Sequence, residues 1–493
     1  MSGVGGYVQN FNYFRNNATV DKVRIDEQSS NSIKVTLLTS GIGHVIYIPK
    51  DLYQFNKSYF IKISSEGYNE GDLFLSFYAP SASTATTVKV PLNPNGITEI
   101  PAIKEDDFLA VYLVNAAGKV GSITIEQLPL YPGALVFDGV DDYGVCENFP
   151  ILTKEKGYTV VALRQWITRG EGALGLVSNV KNWLNNGAFL LEYRNIQADH
   201  LNKPISFGAI GSEMDLPHIL TYQTSKSCNG VSITTGNFEG TDVLHVGKLA
   251  PTNVGTCINA AIWELVFLDH DATEEELTKI KDYFVKTYPW LFPDQAWTVV
   301  GKTNEDEDRA TIANITGNGN DLVLSNFGFA EGSGYNEEGE YAGYLVTDGV
   351  DDKIISSIFK MGNDWTVIGD WELINTGKND NAGIVKFDSI VIYNYNYNYN
   401  SMLINIKNGR NILIPDQNTV NAICSDGRIY SKDRKESIYN EETESTSKNF
   451  LTIGYSGNAY TKIAFKNLAI YPTVLSREDC IKAYNYLQTL KAK

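Results

Sequence analysis

FDGVDDYG at residues 137–144 and TDGVDDKI at residues 347–354 share one pentapeptide, Asp-Gly-Val-Asp-Asp. Three carboxylates within five residues would supply part of the oxygen shell that a calcium ion requires. The same residues also spell a tight turn, in which the first aspartate accepts from backbone two residues on and the glycine takes a positive φ. Recurrence separates the two readings. A bend that closes a scaffold must return in every copy of a duplicated domain, whereas a binding site need not. The turn is the preferred expectation, with Val140 plugging the core. Asp138, Asp141, Asp142, Asp348, Asp351 and Asp352 are the candidate metal ligands, with calcium the ion their oxygens would suit.

The likeness extends outward from the pentapeptides. Leu135–Asp142 matches Leu345–Asp352, Tyr158–Val161 matches Trp365–Ile368, and Glu264–Leu268 matches Asn467–Tyr471, in the same order. A fixed order with a slowly drifting offset is the signature of a duplicated domain with small loop insertions. Both copies end alike. Thr273-Glu274-Glu275-Glu276 reads as a capping box opening a helix with Leu277, Ile280 and Phe284 on one stripe. Ser476 opens a second helix carrying Cys480, Ala483, Tyr484 and Leu487.

Residues 1–130 differ, holding none of the seven tryptophans. Short alternating runs recur there: Ser32–Leu37, Tyr59–Ile63, Leu73–Tyr78, Phe108–Leu113 and Ser122–Ile125. Turn residues between them predict a small antiparallel sandwich. The expected division is an arm over 1–30, a β-sandwich over 31–130, one duplicated domain over 131–293 and the other over 294–493. The expected fold class is all-β.

Composition bounds the function. A formal charge of −17 over 493 residues argues against nucleic acid and anionic membrane as partners. Five scattered cysteines with no CxxC pair predict neither a disulfide framework nor a zinc site. The five histidines show no HExxH, and no nucleophile elbow or P-loop is present. The first residues lack the charged and apolar regions of a secretory signal.

With those residues in view, a resemblance emerges. The order of a strand ending in LVFDGVDDY, the strand YTVVALRQW, and AIWELVFLDHDATEEEL resembles the concanavalin A-like, laminin G-like jelly-roll domains of bacterial and phage surface proteins. It covers roughly 131–493, twice. The segment DRATIANITGNGNDLVLSNFGFAEGSGYN (308–336) also resembles segments of virion proteins of phages that infect gut Bacteroides-type bacteria. The resemblance implies two jelly-rolls, each with a short C-terminal helix. It further implies a non-enzymatic virion appendage, a head fibre or tail fibre. Such a protein would bind host-surface glycan, attach to capsid or tail proteins through its N-terminal region, and form a homo-oligomer such as a trimer. Synthesis in the host cytoplasm without a signal peptide fits that location.

Two further segments bear on chemistry. Glu213 and Asp215 resemble the start of the E-x-D-x-x-E strand of jelly-roll glycoside hydrolases. His218, after Pro217, stands where the third carboxylate would be, so no catalytic residue is assigned. Tyr393, Tyr395, Tyr397 and Tyr399 would share one face of a single strand, suited to stacking on sugar rings or to a subunit interface. Two alternatives stay open: a polysaccharide-active glycoside hydrolase of jelly-roll fold, and a bacterial cell-surface lectin.

Overall fold

The computed structural model describes the chain apart from residues 1–2, 18–21, 82, 84, 153–154, 169–174, 179–189, 192–219, 229–230, 233–240, 249–256, 340, 358, 361, 363, 375–382, 388–389, 397–399, 407–409, 415–419, 432–435, 439–447, 450, 454, 457–458, 461 and 493. The fold is all-β, built from antiparallel sheets, with two α-helices among the described residues. It divides into two compact units, Met1–Leu135 and Val136–Lys493.

The first unit is a sandwich of two five-stranded sheets. One sheet orders Arg15–Asn16, His44–Pro49, Ala110–Asn115, Leu73–Tyr78 and Val88–Pro91. The other orders Val23–Gln28, Ser32–Leu37, Gly121–Gln127, Tyr59–Ser65 and Ile97–Ile100. Ser32–Leu37 shows why these residues form strands: Ile33, Val35 and Leu37 are fully buried while the residues between them are half-exposed. The expected arm over residues 1–30 is a correction. Val8, Phe11 and Phe14 sit in the sandwich core, and Arg15–Asn16 and Val23–Gln28 are strands of its sheets. Phe11 and Phe14 pack edge to face, at 5.2 Å between ring centroids. Three aromatic or aliphatic side chains spaced three apart lack strand periodicity because they sit around a short 3-10 turn, Phe11–Tyr13.

The second unit holds two sandwiches of matching strand order. In the first, Leu135–Asp138, Asn259–Leu268, Thr159–Thr168 and Leu220–Thr224 lie side by side. In the second, Tyr344–Val346, Ile463–Tyr471, Thr366–Leu373 and Val420–Cys424 repeat that order. The companion sheets match as well: Gly144–Glu147, Val243–Val246, Val177–Ser178 and Leu190–Leu191 against Lys353–Ser356, Thr452–Ile453, Gly383–Phe387 and Ile390–Asn396. Each core draws on both of its sheets, Phe137 and Ile262 with Val177 and Leu244 in the first, Val367 and Phe465 with Ile354 and Ile453 in the second.

One hydrogen-bond device recurs in both. Thr159 Oγ1 donates to His270 O at 2.8 Å and accepts from Ala272 N at 2.7 Å. Thr366 Oγ1 donates to Thr473 O at 2.8 Å and accepts from Leu475 N at 2.9 Å. A threonine at the start of the central strand thereby fixes the turn that leads into each terminal helix. Those helices are Glu274–Thr287, capped by the Thr273–Glu276 box, and Arg477–Leu487, capped by Ser476. The inward stripe of the second is as expected, with Cys480, Ala483, Tyr484 and Leu487 buried. No described helix is long and apolar enough to cross a membrane.

Gln295–Thr298 follows directly on the first sandwich in sequence but pairs with Ile463–Tyr471 of the second. Trp297 is thus fully buried in the second core, and its indole N–H donates to Asn320 O at 2.9 Å.

Candidate functional site

The two acidic pentapeptides adopt one geometry. Val140 N donates to Asp138 Oδ1 at 2.8 Å, and Val350 N to Asp348 Oδ1 at 2.7 Å. Asp138 N donates to Asp142 Oδ2 at 3.1 Å, and Asp348 N to Asp352 Oδ2 at 2.7 Å. Each first aspartate caps the bend and each last one closes it from below. Gly139 has φ +84° and Gly349 has φ +77°, in the left-handed region where a side chain is strained. Space is short as well: a Cβ on Gly139 would meet Asn259 Cβ at 3.0 Å, and one on Gly349 would meet Lys462 N at 3.0 Å.

One detail corrects the expectation. Val140 is 76% and Val350 68% exposed, so neither valine plugs the core. The positive φ of the preceding glycine turns the chain outward, and the fourth and fifth residues, not the third, lead back into the next strand.

In each cluster one oxygen from every aspartate lies within 4.8 Å of the others. The structure therefore does bring Asp138, Asp141 and Asp142 together, and likewise Asp348, Asp351 and Asp352. In both, the first and last carboxylates accept from backbone N–H groups of the bend. Asp348 Oδ1 takes Val350 N, Asp351 N at 3.2 Å and Asp352 N at 3.4 Å.

The copies differ in depth. Asp352 is fully buried whereas Asp142 is half-exposed. Burial pushes the Asp352 carboxyl up to about 6, and the carboxylates of Asp348 and Asp351 act in the same direction; the Asp348 amide and the Ser333 hydroxyl oppose it. A carboxyl whose folded pKa exceeds its unfolded one stabilises the fold fully below the unfolded pKa, near 4, and loses that contribution as pH rises through about 6. The second sandwich is accordingly expected to be more stable at about pH 5 than at about pH 7.5, by roughly 1 kcal/mol from this group. Denaturation of the wild type and of Asp352→Asn at both pH values checks this. The difference between the two proteins should change with pH in that sense; an unchanged difference would count against it.

The other candidates are placed less fully. Glu213, Asp215 and His218 lie outside the described residues. The tyrosine run does not form one strand. Tyr393 and Tyr395 belong to Ile390–Asn396, which pairs antiparallel with Asn400–Ile406, Asn396 opposite Asn400. Tyr397 and Tyr399 lie outside the described residues. Asparagines at both strand ends favour the reversal over a continuous ladder.

His270 is held by two carboxylates, Nε2 3.0 Å from Glu276 Oε1 and Nδ1 3.2 Å from Asp269 Oδ1. Hydrogen bonds from the Thr273 backbone first, then from His270 and the Thr273 hydroxyl, bring the Glu276 carboxyl down to about 2. This cluster is the start of the first terminal helix and supplies no free general base.

No protein-family model and no curated protein matches the sequence. Solved structures similar to the chain include a Trypanosoma rangeli sialidase in complex with sialic acid, at 10% identity and TM-score 0.25, covering 55% of this chain and 48% of that one. They include the receptor-binding domain of botulinum neurotoxin type G, at 13% identity and TM-score 0.23, covering 39% of this chain and 50% of that one. They also include the CBM22 tandem domain of Paenibacillus barcinonensis Xyn10C, at 11% identity and TM-score 0.17, covering 55% of this chain and all of that one. The match takes in about half the length of the sialidase and of the neurotoxin domain. Likenesses this distant carry no argument for the activity of any one of them. They do correct one expectation. The similar structures include enzymes, the sialidases, beside binding domains, so the reading of this chain as non-enzymatic is withdrawn.

Proposed function

We propose that the chain is a glycan-binding protein whose two jelly-rolls present their rim loops to a host-surface polysaccharide. The observation that carries this reading is the duplication itself. Two sandwiches of matching strand order, closed by the same bend and the same threonine device, offer two similar rims on one chain. Rims of a rigid sandwich suit recognition loops. Two modest sites on one chain raise avidity without any new contact.

The sequence resemblance supports a reading in which this binding serves a phage particle, as a head fibre or tail fibre. In that setting the N-terminal region joins the chain to other virion proteins, and the chain assembles as a homo-oligomer, a trimer in the simplest case. No cofactor is needed for this role.

The test is retention of the purified full chain on an array of bacterial capsular and cell-surface polysaccharides, with reducing ends measured in parallel. Retention on a subset of glycans is the expected result. Absence of retention on all of them would overturn the proposal. Release of reducing ends that disappears in Glu213→Gln would assign catalysis instead.

A further inference from the structure

The N-terminal sandwich carries a second surface that the jelly-roll reading does not use. Its first sheet sets Arg15 opposite Tyr47, Tyr47 opposite Tyr112, Tyr112 opposite Ser76 and Ser76 opposite Lys89. Directly opposed residues in an antiparallel sheet share a face. That face is the outer one, because Ile46, Ile48, Val111, Leu113, Leu75 and Phe77, which flank the row in sequence, are buried in the core. One row thus crosses all five strands, with a cation at each end and, between them, two tyrosines and Ser76, which its neighbours cover. Four strand spacings make it about 19 Å long.

Aromatic side chains thicken the row. The Tyr47 and Tyr112 rings lie 5.6 Å apart, with Tyr78 6.0 Å and His44 4.9 Å from Tyr112. Lys89 Nζ stands 5.1 Å from the centre of the Phe74 ring. Tyr78 is 39% exposed. Charge singles the sheet out. None of its five strands contains an aspartate or glutamate, in a chain whose formal charge is −17. The companion sheet carries Asp26, Glu27, Glu99 and Glu126 in its strands.

We infer that this face binds an acidic polysaccharide, with sugar rings stacked on Tyr47 and Tyr112 and carboxylates paired to Arg15 and Lys89. Tyrosine offers a flat apolar face with a polar tip, which matches a pyranose ring and its hydroxyls. The cations stand at the two ends of the row, so the best match is a polymer with widely spaced charges and neutral rings between them. A nucleic acid strand, whose affinity rests on neutralising many phosphates, would find only two cations about 19 Å apart on this row.

The test uses the full chain and three acidic glycans, hyaluronan, polygalacturonate and xanthan, with dextran as the neutral control and oligothymidylate as the nucleic acid control. Expected is binding to at least one acidic glycan, weakened about tenfold or more in Tyr47→Ala/Tyr112→Ala. Arg15→Ala/Lys89→Ala should weaken it and flatten its salt dependence. Tyr112→Phe, which keeps the ring, should retain binding, and an unchanged far-UV circular dichroism spectrum and melting temperature of the tyrosine double variant show that its loss is not one of folding. No binding to any acidic glycan, equal binding by the tyrosine double variant, or tighter binding of oligothymidylate would each overturn the inference. Because the site lies in residues 1–135, rim-loop binding by the jelly-rolls survives its variants, so the two readings fail separately.

Discussion

Trp297→Ala is expected to destabilise the second sandwich by about 3–5 kcal/mol, the usual cost of emptying a buried tryptophan site. The side chain is fully buried among Ile312, Leu322, Trp365 and Leu468, and its ring centre lies 6.4 Å from that of Phe359. Truncation also removes the indole N–H that the part-buried Asn320 carbonyl now accepts from, and losing that hydrogen bond adds to the cost. Collapse of the cavity is restricted. The strand that carries Trp297 is fixed at four positions to Ile463–Tyr471, the strand at the centre of the sheet. Hydrogen exchange gives the most informative measurement. Protection should fall in Gln295–Thr298, Ile463–Tyr471 and Thr366–Leu373, while the core strands of the Met1–Leu135 unit keep theirs. Full protection in the second sandwich of the variant would show that Gln295–Thr298 is not part of its core.

Asp348→Ala is expected to cost about 2–3 kcal/mol, because its Oδ1 accepts from Val350 N and, at longer range, from Asp351 N and Asp352 N. A charged acceptor serving several amides is worth more than a neutral hydrogen bond. Gly349→Ala should add about 1–2 kcal/mol for the left-handed backbone alone, before the contact with Lys462 is counted. Asp138→Ala and Gly139→Ala in the first sandwich should follow in the same direction, the aspartate change by less. There Asp138 Oδ1 has one amide donor, Val140 N, and the last aspartate of the bend is only half-buried. Thermal melts of the four variants check the ranking. A first-copy variant more damaging than its second-copy counterpart would contradict it.

The jelly-rolls were legible because they are repeated. A single DGVDD leaves turn and metal undecided, but its return beside Thr159 and Thr366 points to a scaffold, and the paired hydrogen bonds of those threonines supply the physical reason. The N-terminal sandwich was legible only where strands alternate cleanly. Ser32–Leu37 and Leu73–Tyr78 stand as their patterns predict. His44–Pro49 was missed because adjacent Val45 and Ile46 are both buried, where a register irregularity opposite Leu113 breaks the alternation. Val88–Pro91 was missed because it is a short edge strand ending in proline. The tyrosine face was not legible at all. Arg15, Tyr47, Ser76, Lys89 and Tyr112 are scattered through the first unit and meet only through strand register, which no local pattern encodes. The tyrosine run at 393–399, by contrast, is conspicuous because it is contiguous, yet Ile390–Asn396 pairs antiparallel with Asn400–Ile406, Asn396 opposite Asn400.

The account rests on the acidic bends holding the sandwiches closed by their own hydrogen bonds and not by an ion. The most direct measurement is the melting temperature of the wild type and of Asp348→Ala, each in excess EDTA and in excess calcium. The account predicts one melting temperature for the wild type in both media and a lower one for the variant in both. A site saturated at 100 times its dissociation constant would add about 2.7 kcal/mol to the folded state. A rise of the wild type in calcium that Asp348→Ala abolishes would contradict the account.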